Sequence, residues 1–289
     1  MCTDAEDSGA GALWAVDHLF WPRPMLECLT TLAVATTATR HAVVGSCVLQ
    51  LPLRRASAVA KAAASLQVLS GGRFVLGIGV GSHPGEYAAA GVDFASRGRL
   101  VDEGLAELHR SWDSATDRGS AYRQEPQPSP IPVWIGGSSR AALRRAATAA
   151  DGWVPLFMSP AEYEVALGHL GEASVAAGRA ADEVLRAVVV MVSVGPEPAQ
   201  ATDAGTRWLS SLYGIPPKAF ERHLVAGPAE SCAEQLQRYF AAGAEHVAVM
   251  VTSDQPVEAF AELRGSLGAG AAERAAPAGY RPELVEVAT

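Results

Sequence analysis

The stretch RFVLGIGVGSHPGEYAAAG at residues 73–91 decides how this chain folds. An apolar run of strand type leads into glycines at the alternate positions 77, 79 and 81. The dinucleotide-binding fingerprint GxGxxG needs a third glycine three residues after the second, but Ser82 and Pro84 occupy that position in the two possible registers. His83 and Pro84 also prevent a helix from opening directly after the strand, as the fingerprint requires. The stretch therefore indicates a strand of another α/β fold, with a carboxyl end kept free of side chains.

Six further apolar runs alternate with helical patterns along the chain. Nearly all of their positions are apolar, which is typical of parallel strands covered by helices on both faces. The predicted strands are 12–17, 41–51, 73–81, 132–137, 152–157, 185–195 and 246–252. The alternation predicts an α/β fold with right-handed crossovers, and 289 residues suit a single barrel domain over residues 1–289.

A TIM (β/α)8-type barrel has eight strands, whereas the sequence shows seven. Residues 5–14, AEDSGAGALW, look like the last turns of a helix that enters the first visible strand. We therefore expect a barrel that lacks its first strand and most of its first helix. The gap has four explanations: a misassigned start codon, a genuinely shortened barrel, closure by another segment or subunit, or an unrecognised strand. Within the C-terminal tail 265–289, the segment 278–289 is a candidate for an added extended segment, but we expect a frayed terminus.

Composition excludes several classes of function. The net charge is −8 and no basic stripe appears, so nucleic acid is not expected as a partner. No apolar run reaches 18 residues and the N-terminus is acidic, which predicts a cytoplasmic protein without signal peptide or membrane contact. The four cysteines form no CxxC pair and the seven histidines form no HxH or HExxH pair, so no metal site is predicted. A small-molecule substrate remains the expected partner.

Chemically useful residues follow the predicted strands at the end where barrel enzymes carry their active sites. Gly79, Gly81, Ser82 and Glu86 follow one strand, and the bare backbone there would let a flat ring or a phosphate chain approach. Close helix packing is the alternative explanation, although it accounts less easily for three alternate glycines.

Two other strand ends carry similar groups. Gly136, Gly137 and Ser138 precede a predicted helix, and free N–H groups at a helix N-terminus suit a phosphate. A capped turn would need the same residue types. Asp17 and His18 follow the first visible strand, and a histidine there can exchange a proton near neutral pH. Both residues could instead satisfy loop backbone.

Taken together and in this order, the segments LWAVDHLFWP, SGGRFVLGIGVG…GEY…G and VWIGGSS…ADGWVP resemble the bacterial luciferase-like superfamily of flavin- or F420-dependent oxidoreductases. The resemblance covers about residues 5–265. It implies a barrel that holds its cofactor at the C-terminal face. It implies His18 as the active-site histidine, oriented by Asp17, and Glu86 as a catalytic acid.

The resemblance also implies the cofactor contacts. Cys47 and Val48 stand where F420-dependent members often carry a non-proline cis peptide that supports the ring. Gly79, Val80 and Gly81 would approach the cofactor. A final set, Gly136, Gly137 and Ser138, would hold its phosphate.

The resemblance leaves the cofactor open between F420 and FMN. Flavin-dependent members often carry an arginine near Val80, so the run GIGVG favours F420. The expected activity is hydride transfer between F420 and a small organic substrate, and the alternative is a reduced-FMN-dependent monooxygenase. A catalytically silent cofactor-binding protein is a third reading, motivated by the missing strand. A homodimer is a further expectation.

Overall fold

The computed structural model describes residues 1–113 and 124–267, together with the backbone of residues 285–288. Within these residues the strands are β1 Ala12–Ala15, β2 Val43–Gln50, β3 Phe74–Gly79, β4 Val133–Gly136, β5 Gly152–Val154, β6 Leu185–Val194, β7 Leu224–Gly227, β8 His246–Val251 and β9 Val285–Ala288. The helices are α1 Cys2–Asp7, α2 Cys28–Ala38, α3 Ala56–Leu69, α4 Pro84–Ala89, α5 Arg97–Trp112, α6 Arg140–Ala149, α7 Pro160–Ala176, α8 Pro198–Tyr213, α9 Ala229–Ala241 and α10 Pro256–Ser266. All seven strands predicted from the sequence are present.

The strands form one parallel sheet that closes on itself. Around the ring the order is β1, β2, β3, β4, β5, β6, β8 and β9, and β9 pairs with β1. The predicted α/β barrel of TIM type is confirmed. The sequence did not predict β7, which lies outside the ring and pairs with the end of β6. Its run LVAG is too short, and too close to a glycine, to show a strand pattern.

The prediction of a frayed terminus is wrong for residues 285–288. These residues form β9, which runs parallel to both β1 and β8, with Glu286 opposite Leu13 and Val285 opposite Ala248. This is the position of the first barrel strand, which we expected to be missing. Of the explanations for the gap, the structure therefore shows closure by another segment of the same chain. The closed ring leaves neither β1 nor β8 with an unpaired edge there.

The floor of the barrel is filled by large aromatic side chains. Trp14 and Trp134 are both buried, with ring centroids 4.9 Å apart, and His246 packs edge-on against both rings. Space for the two indoles comes from Gly45 and Gly152. A Cβ at Gly45 would stand 2.3 Å from the Trp14 ring, and a Cβ at Gly152 would stand 2.5 Å from the Trp134 ring.

Burial of His246 predicts a pH-dependent stability. Desolvation lowers the pKa of this imidazole to about 3, so the folded protein holds it neutral while the unfolded chain protonates it near pH 6.5. This stability is fully present above the unfolded pKa and is lost as pH falls below it. We expect the free energy of unfolding to drop by about 2 kcal/mol between pH 6.5 and pH 5 on this account. Urea titrations of His246→Phe should show a flatter pH dependence over that interval, whereas the exposed-site variant His169→Phe should not.

An irregularity in β2 explains the glycines of β3. The register between the two strands shifts between Ser46 and Leu49, at the cis peptide bond joining Cys47 to Val48. A Cβ at Gly79 would stand 2.4 Å from Val48 Cγ2, and one at Gly77 would stand 2.1 Å from the Ser46 carbonyl oxygen. These two glycines therefore make room for the neighbouring strand, and Gly79 also lines a cavity at the carboxyl ends of the strands.

Replacing Gly79 by alanine should consequently destabilise the protein. The added methyl group overlaps Val48 in a packed interior, and overpacking of this kind costs about 1–3 kcal/mol. Urea unfolding followed by tryptophan fluorescence measures the loss. Gly168→Ala is the matched control, because Gly168 lies within α7 with open space around its Cβ position. That control should be neutral or stabilising by up to about 1 kcal/mol, and equal effects for the two variants would contradict the packing argument.

Candidate active site

A cavity of 440 Å³ opens at the carboxyl ends of the barrel strands. The predicted residues that line it are Asp17, His18, Cys47, Val48, Gly79, Val80, Gly81, Gly136, Gly137 and Ser138. The remaining lining is mostly apolar and consists of Val16, Trp21, Gln50, Ser82, Val154, Leu156, Phe157, Val189, Tyr213 and Met250. Every predicted site residue thus lines the cavity except Glu86, which does not line it but contacts His18.

Glu86 holds the histidine in place. It is fully buried on α4, and its Oε2 lies 3.0 Å from His18 Nδ1. Its other oxygen, Oε1, accepts hydrogen bonds from the Leu19 and Phe20 N–H groups at 2.5 Å and 3.4 Å. Burial alone would raise the pKa of Glu86, but the hydrogen bonds from His18, Gln50 and the Leu19 N–H outweigh it and lower that pKa. An ionised Glu86 therefore faces the imidazole near neutral pH.

Asp17 does not orient His18, contrary to the sequence expectation. Its hydrogen bonds run to the Gln50 N–H at 2.9 Å and to the Arg54 guanidinium at 2.7 Å. The reason is geometric: Asp17 is the last buried residue after β1 and turns toward β2, while His18 points to α4. Burial raises the pKa of Asp17, and Arg54 and the Gln50 N–H act against that rise. Asp17 consequently ties two strand ends together beneath the site.

Gln50, which was not among the predicted site residues, links these groups. Its Nε2 donates to the Asp17 carbonyl oxygen at 2.7 Å and to Glu86 Oε2 at 3.2 Å. Both amide hydrogens of Gln50 are then used in these hydrogen bonds. The hydrogen on His18 Nδ1 is therefore assigned to the hydrogen bond with Glu86, and His18 Nε2 is the ring nitrogen available for chemistry. The Gln50 side-chain oxygen is buried, without a hydrogen-bond partner among the described residues, and stands against Gly81. A polar residue near the end of the apolar run VVGSCVLQL was the only sequence signal for it.

Changing Gln50 to leucine should weaken the protein in a pH-dependent way. The variant removes a donor to ionised Glu86, and a lost buried hydrogen bond costs about 1–3 kcal/mol. Because the pKa of Glu86 is lowered in the folded state, its stabilising contribution is present above the unfolded pKa and disappears as pH falls through the folded value. The loss measured by urea unfolding should therefore be larger at pH 7 than at pH 4. Gln67→Leu, an equally buried glutamine bonded to Pro130 and Phe74 backbone, should lose similar stability at both pH values.

Aromatic side chains form one wall of the cavity. The His18 ring stacks on Trp21 with centroids 3.6 Å apart, and Trp21 meets the edge of Tyr213 at 5.7 Å. Phe157, which has a positive φ of 61°, also packs against Tyr213, with ring centroids 5.7 Å apart. The stacking restricts rotation of the imidazole, which complements its hydrogen bond to Glu86.

The turn after β4 lines the cavity and leads into the N-terminus of α6. Gly137 and Ser138 are exposed, and Ser139 caps α6 by accepting from the Ala142 N–H at 3.2 Å. Gly137 has a φ of +102°, a conformation that other residues rarely adopt. Its carbonyl oxygen accepts from Trp153 Nε1 at 2.8 Å, which fixes the turn. Helix N-termini of this kind attract phosphate groups.

A larger cavity of 680 Å³ lies at the opposite end of the barrel. Its polar groups serve the fold: Arg73 donates to the Thr36 and Thr39 carbonyl oxygens, and Asp151 accepts from the Val133 N–H. Over residues 1–113 and 124–267, no cluster of three potential metal ligands is found, and no helix is long and apolar enough to cross a membrane. The smaller cavity is therefore the candidate active site.

Comparison with known families gives one match over most of the chain. The family model described as luciferase-like monooxygenase matches residues 1–213. An uncharacterized protein of Mycobacterium tuberculosis is 38% identical over 141 residues, which cover 46% of this chain and 48% of the relative. A phthiodiolone/phenolphthiodiolone dimycocerosates ketoreductase of Mycobacterium kansasii is 29% identical over 200 residues, covering 64% and 54%. The chain thus spans about half the length of these curated relatives.

Solved structures share the fold at low sequence identity. An F420-dependent secondary alcohol dehydrogenase in complex with an F420-acetone adduct superposes with a TM-score of 0.76 at 18% identity, covering 92% of this chain and 93% of that one. The oxygenating constituent of 3,6-diketocamphane monooxygenase of Pseudomonas putida, in complex with FMN, gives 0.67 at 16% identity, covering 92% and 88%. At these identities the likeness establishes the barrel fold alone.

Proposed function

Because the chain belongs to the family of luciferase-like monooxygenases, we propose that it is an oxidoreductase that transfers a hydride between F420 and a small organic substrate. The observation that carries the proposal is His18, held at Nδ1 by a buried carboxylate at the wall of a glycine-lined cavity. One neighbour of the same fold is an F420-dependent alcohol dehydrogenase and one relative is a ketoreductase, which supports carbonyl and alcohol chemistry.

The residues of the cavity fit a cofactor of the flavin or deazaflavin type. The turn at Gly136, Gly137 and Ser138 would hold a phosphate, and the unpartnered Gln50 oxygen supplies a buried acceptor for a ring N–H group. No arginine or lysine is among the described residues that line the cavity. The arginine that flavin-dependent members often carry near Val80 therefore has no counterpart there. Reduced F420 bound here would supply a hydride, whereas reduced FMN would activate oxygen.

His18 would handle the proton that accompanies the hydride. When a carbonyl group is reduced, its oxygen needs a proton, and a protonated His18 would donate it from Nε2. In the reverse direction neutral Nε2 would take the hydroxyl proton of the alcohol. Glu86 would stabilise the charged imidazole and keep its ring aligned, and the apolar wall would limit access of water.

Titration with purified cofactors tests this proposal. Quenching of F420 fluorescence should give a dissociation constant at least about tenfold below that for FMN, a difference of about 1.4 kcal/mol. Riboflavin, which lacks the phosphate, is the control for ring binding alone. Micromolar binding of FMN without binding of F420 would instead favour the monooxygenase alternative. Tight F420 binding with no turnover of any ketone or alcohol would favour a silent cofactor-binding protein.

A further inference from the structure

We infer that the substrate is an uncharged ketone or secondary alcohol with an apolar chain, and that this chain lies on the apolar rim formed by Leu19, Phe20 and Ile215. The inference rests on the proposed function and adds the substrate class. It follows from three features of the described residues: the charge of the cavity, the exposure of the rim, and the connection between the two.

The charges around the cavity disfavour an anionic substrate. Asp17 lines the cavity and Glu86 lies directly behind it, so two carboxylates stand close to the position of chemistry. Arg54 is already bound to Asp17 and to Glu27 at 2.7 Å and 2.8 Å, and no arginine or lysine is among the described residues that line the cavity. A carboxylate or phosphate on the substrate would therefore lose water without gaining an opposite charge. The phosphate-type turn at Gly136 is assigned to the cofactor.

The rim is exposed and apolar. Leu19, Phe20 and Ile215 expose 44%, 50% and 44% of their surfaces. Leu19 and Phe20 follow His18 directly, and Ile215 stands two residues beyond Tyr213. Exposed apolar side chains beside a cavity offer contact area to an apolar ligand chain.

The rim is joined to the catalytic groups. Glu86 Oε1 accepts hydrogen bonds from the Leu19 and Phe20 N–H groups, so one carboxylate fixes both the histidine and two rim residues. Trp21 meets Tyr213 at 5.7 Å and connects the two halves of the rim. A chain that leaves the cavity beside His18 would meet these side chains first. The rim adjoins the cavity through His18, Trp21 and Tyr213, which favours a substrate chain as its occupant.

Calorimetric binding of paired ligands tests the inference without depending on turnover. The ligands are 2-butanone, 2-octanone and 7-oxooctanoate, each titrated into the protein with F420. Each added methylene should tighten binding by up to about fourfold, and the terminal carboxylate should abolish the gain. Phe20→Ser and Ile215→Ser should reduce the ratio of 2-octanone to 2-butanone affinity. Val175 is an exposed apolar residue near the C-terminal end of α7 and does not line the cavity. The control variant Val175→Ser should therefore leave that ratio unchanged.

The outcomes separate the two proposals. F420 binding with equal affinity for short and long ketones, or with preference for 7-oxooctanoate, would overturn the substrate class and leave the proposed function standing. Failure to bind F420 would overturn the proposed function, while the ketone series titrated into the protein alone would still report on the rim. If Phe20→Ser or Ile215→Ser converts a dimer into a monomer in sedimentation velocity, the rim is a subunit interface and the inference is wrong.

Discussion

His18→Ala should lower kcat about 100- to 10,000-fold with little change in F420 affinity. A positioned acid or base contributes about that factor to proton transfer, and His18 is the cavity-lining histidine that a buried carboxylate holds. Steady-state kinetics with a ketone substrate and the F420 fluorescence titration give the two numbers. His83→Ala is the matched control. The His83 ring also packs near Trp21, with ring centroids 6.1 Å apart, but His83 does not line the cavity.

The Glu86→Gln variant distinguishes positioning from direct proton transfer. Glutamine keeps the shape and can still accept from the Leu19 N–H, but it removes the negative charge that faces His18. If Glu86 acts through His18, the loss in kcat should be smaller than that of His18→Ala, and the pH optimum should move to lower pH. Unchanged turnover in His18→Ala would contradict the catalytic assignment altogether.

Ending the chain at residue 284 should destabilise the barrel by more than about 4 kcal/mol. The truncation removes β9, whose backbone pairs with Leu13, Trp14 and Ala15 on one side and with Ala248 and Val249 on the other. Each buried backbone group left without a partner costs about 1–3 kcal/mol, and several would be exposed at once. Urea unfolding and the fluorescence of the floor tryptophans should both report the change.

A chain that ends at residue 288 is the control for this truncation, because it keeps every paired residue of β9. A second variant, Glu286→Pro, removes one N–H donor from the middle of the strand and should lose stability while the chain stays nearly full length. Equal stability of the chains ending at residues 284 and 288 would show that β9 does not close the barrel in solution.

Much of the fold could be predicted because the signals are local. Apolar runs of strand length, separated by helical patterns, mark β1 to β6 and β8, and the loops after them carry the polar groups. The short β7 and β9 gave no comparable signal. A four-residue segment such as VEVA is too short to be recognised as a strand from its own sequence. It forms a strand because β1 and β8 supply its hydrogen-bond partners in the closed ring.

The barrel and the set of residues at its carboxyl end could be predicted from the sequence, because strand periodicity and strand-end position are encoded along the chain. How those residues pair with one another follows from the folded structure. Glu86 makes the hydrogen bond to His18 that Asp17 was expected to make. Gln50 donates hydrogen bonds to the Asp17 carbonyl oxygen and to the Glu86 carboxylate. Gly79 is bare because Val48, 31 residues away, fills its space. Such choices depend on distances between segments remote in sequence, which no local pattern carries.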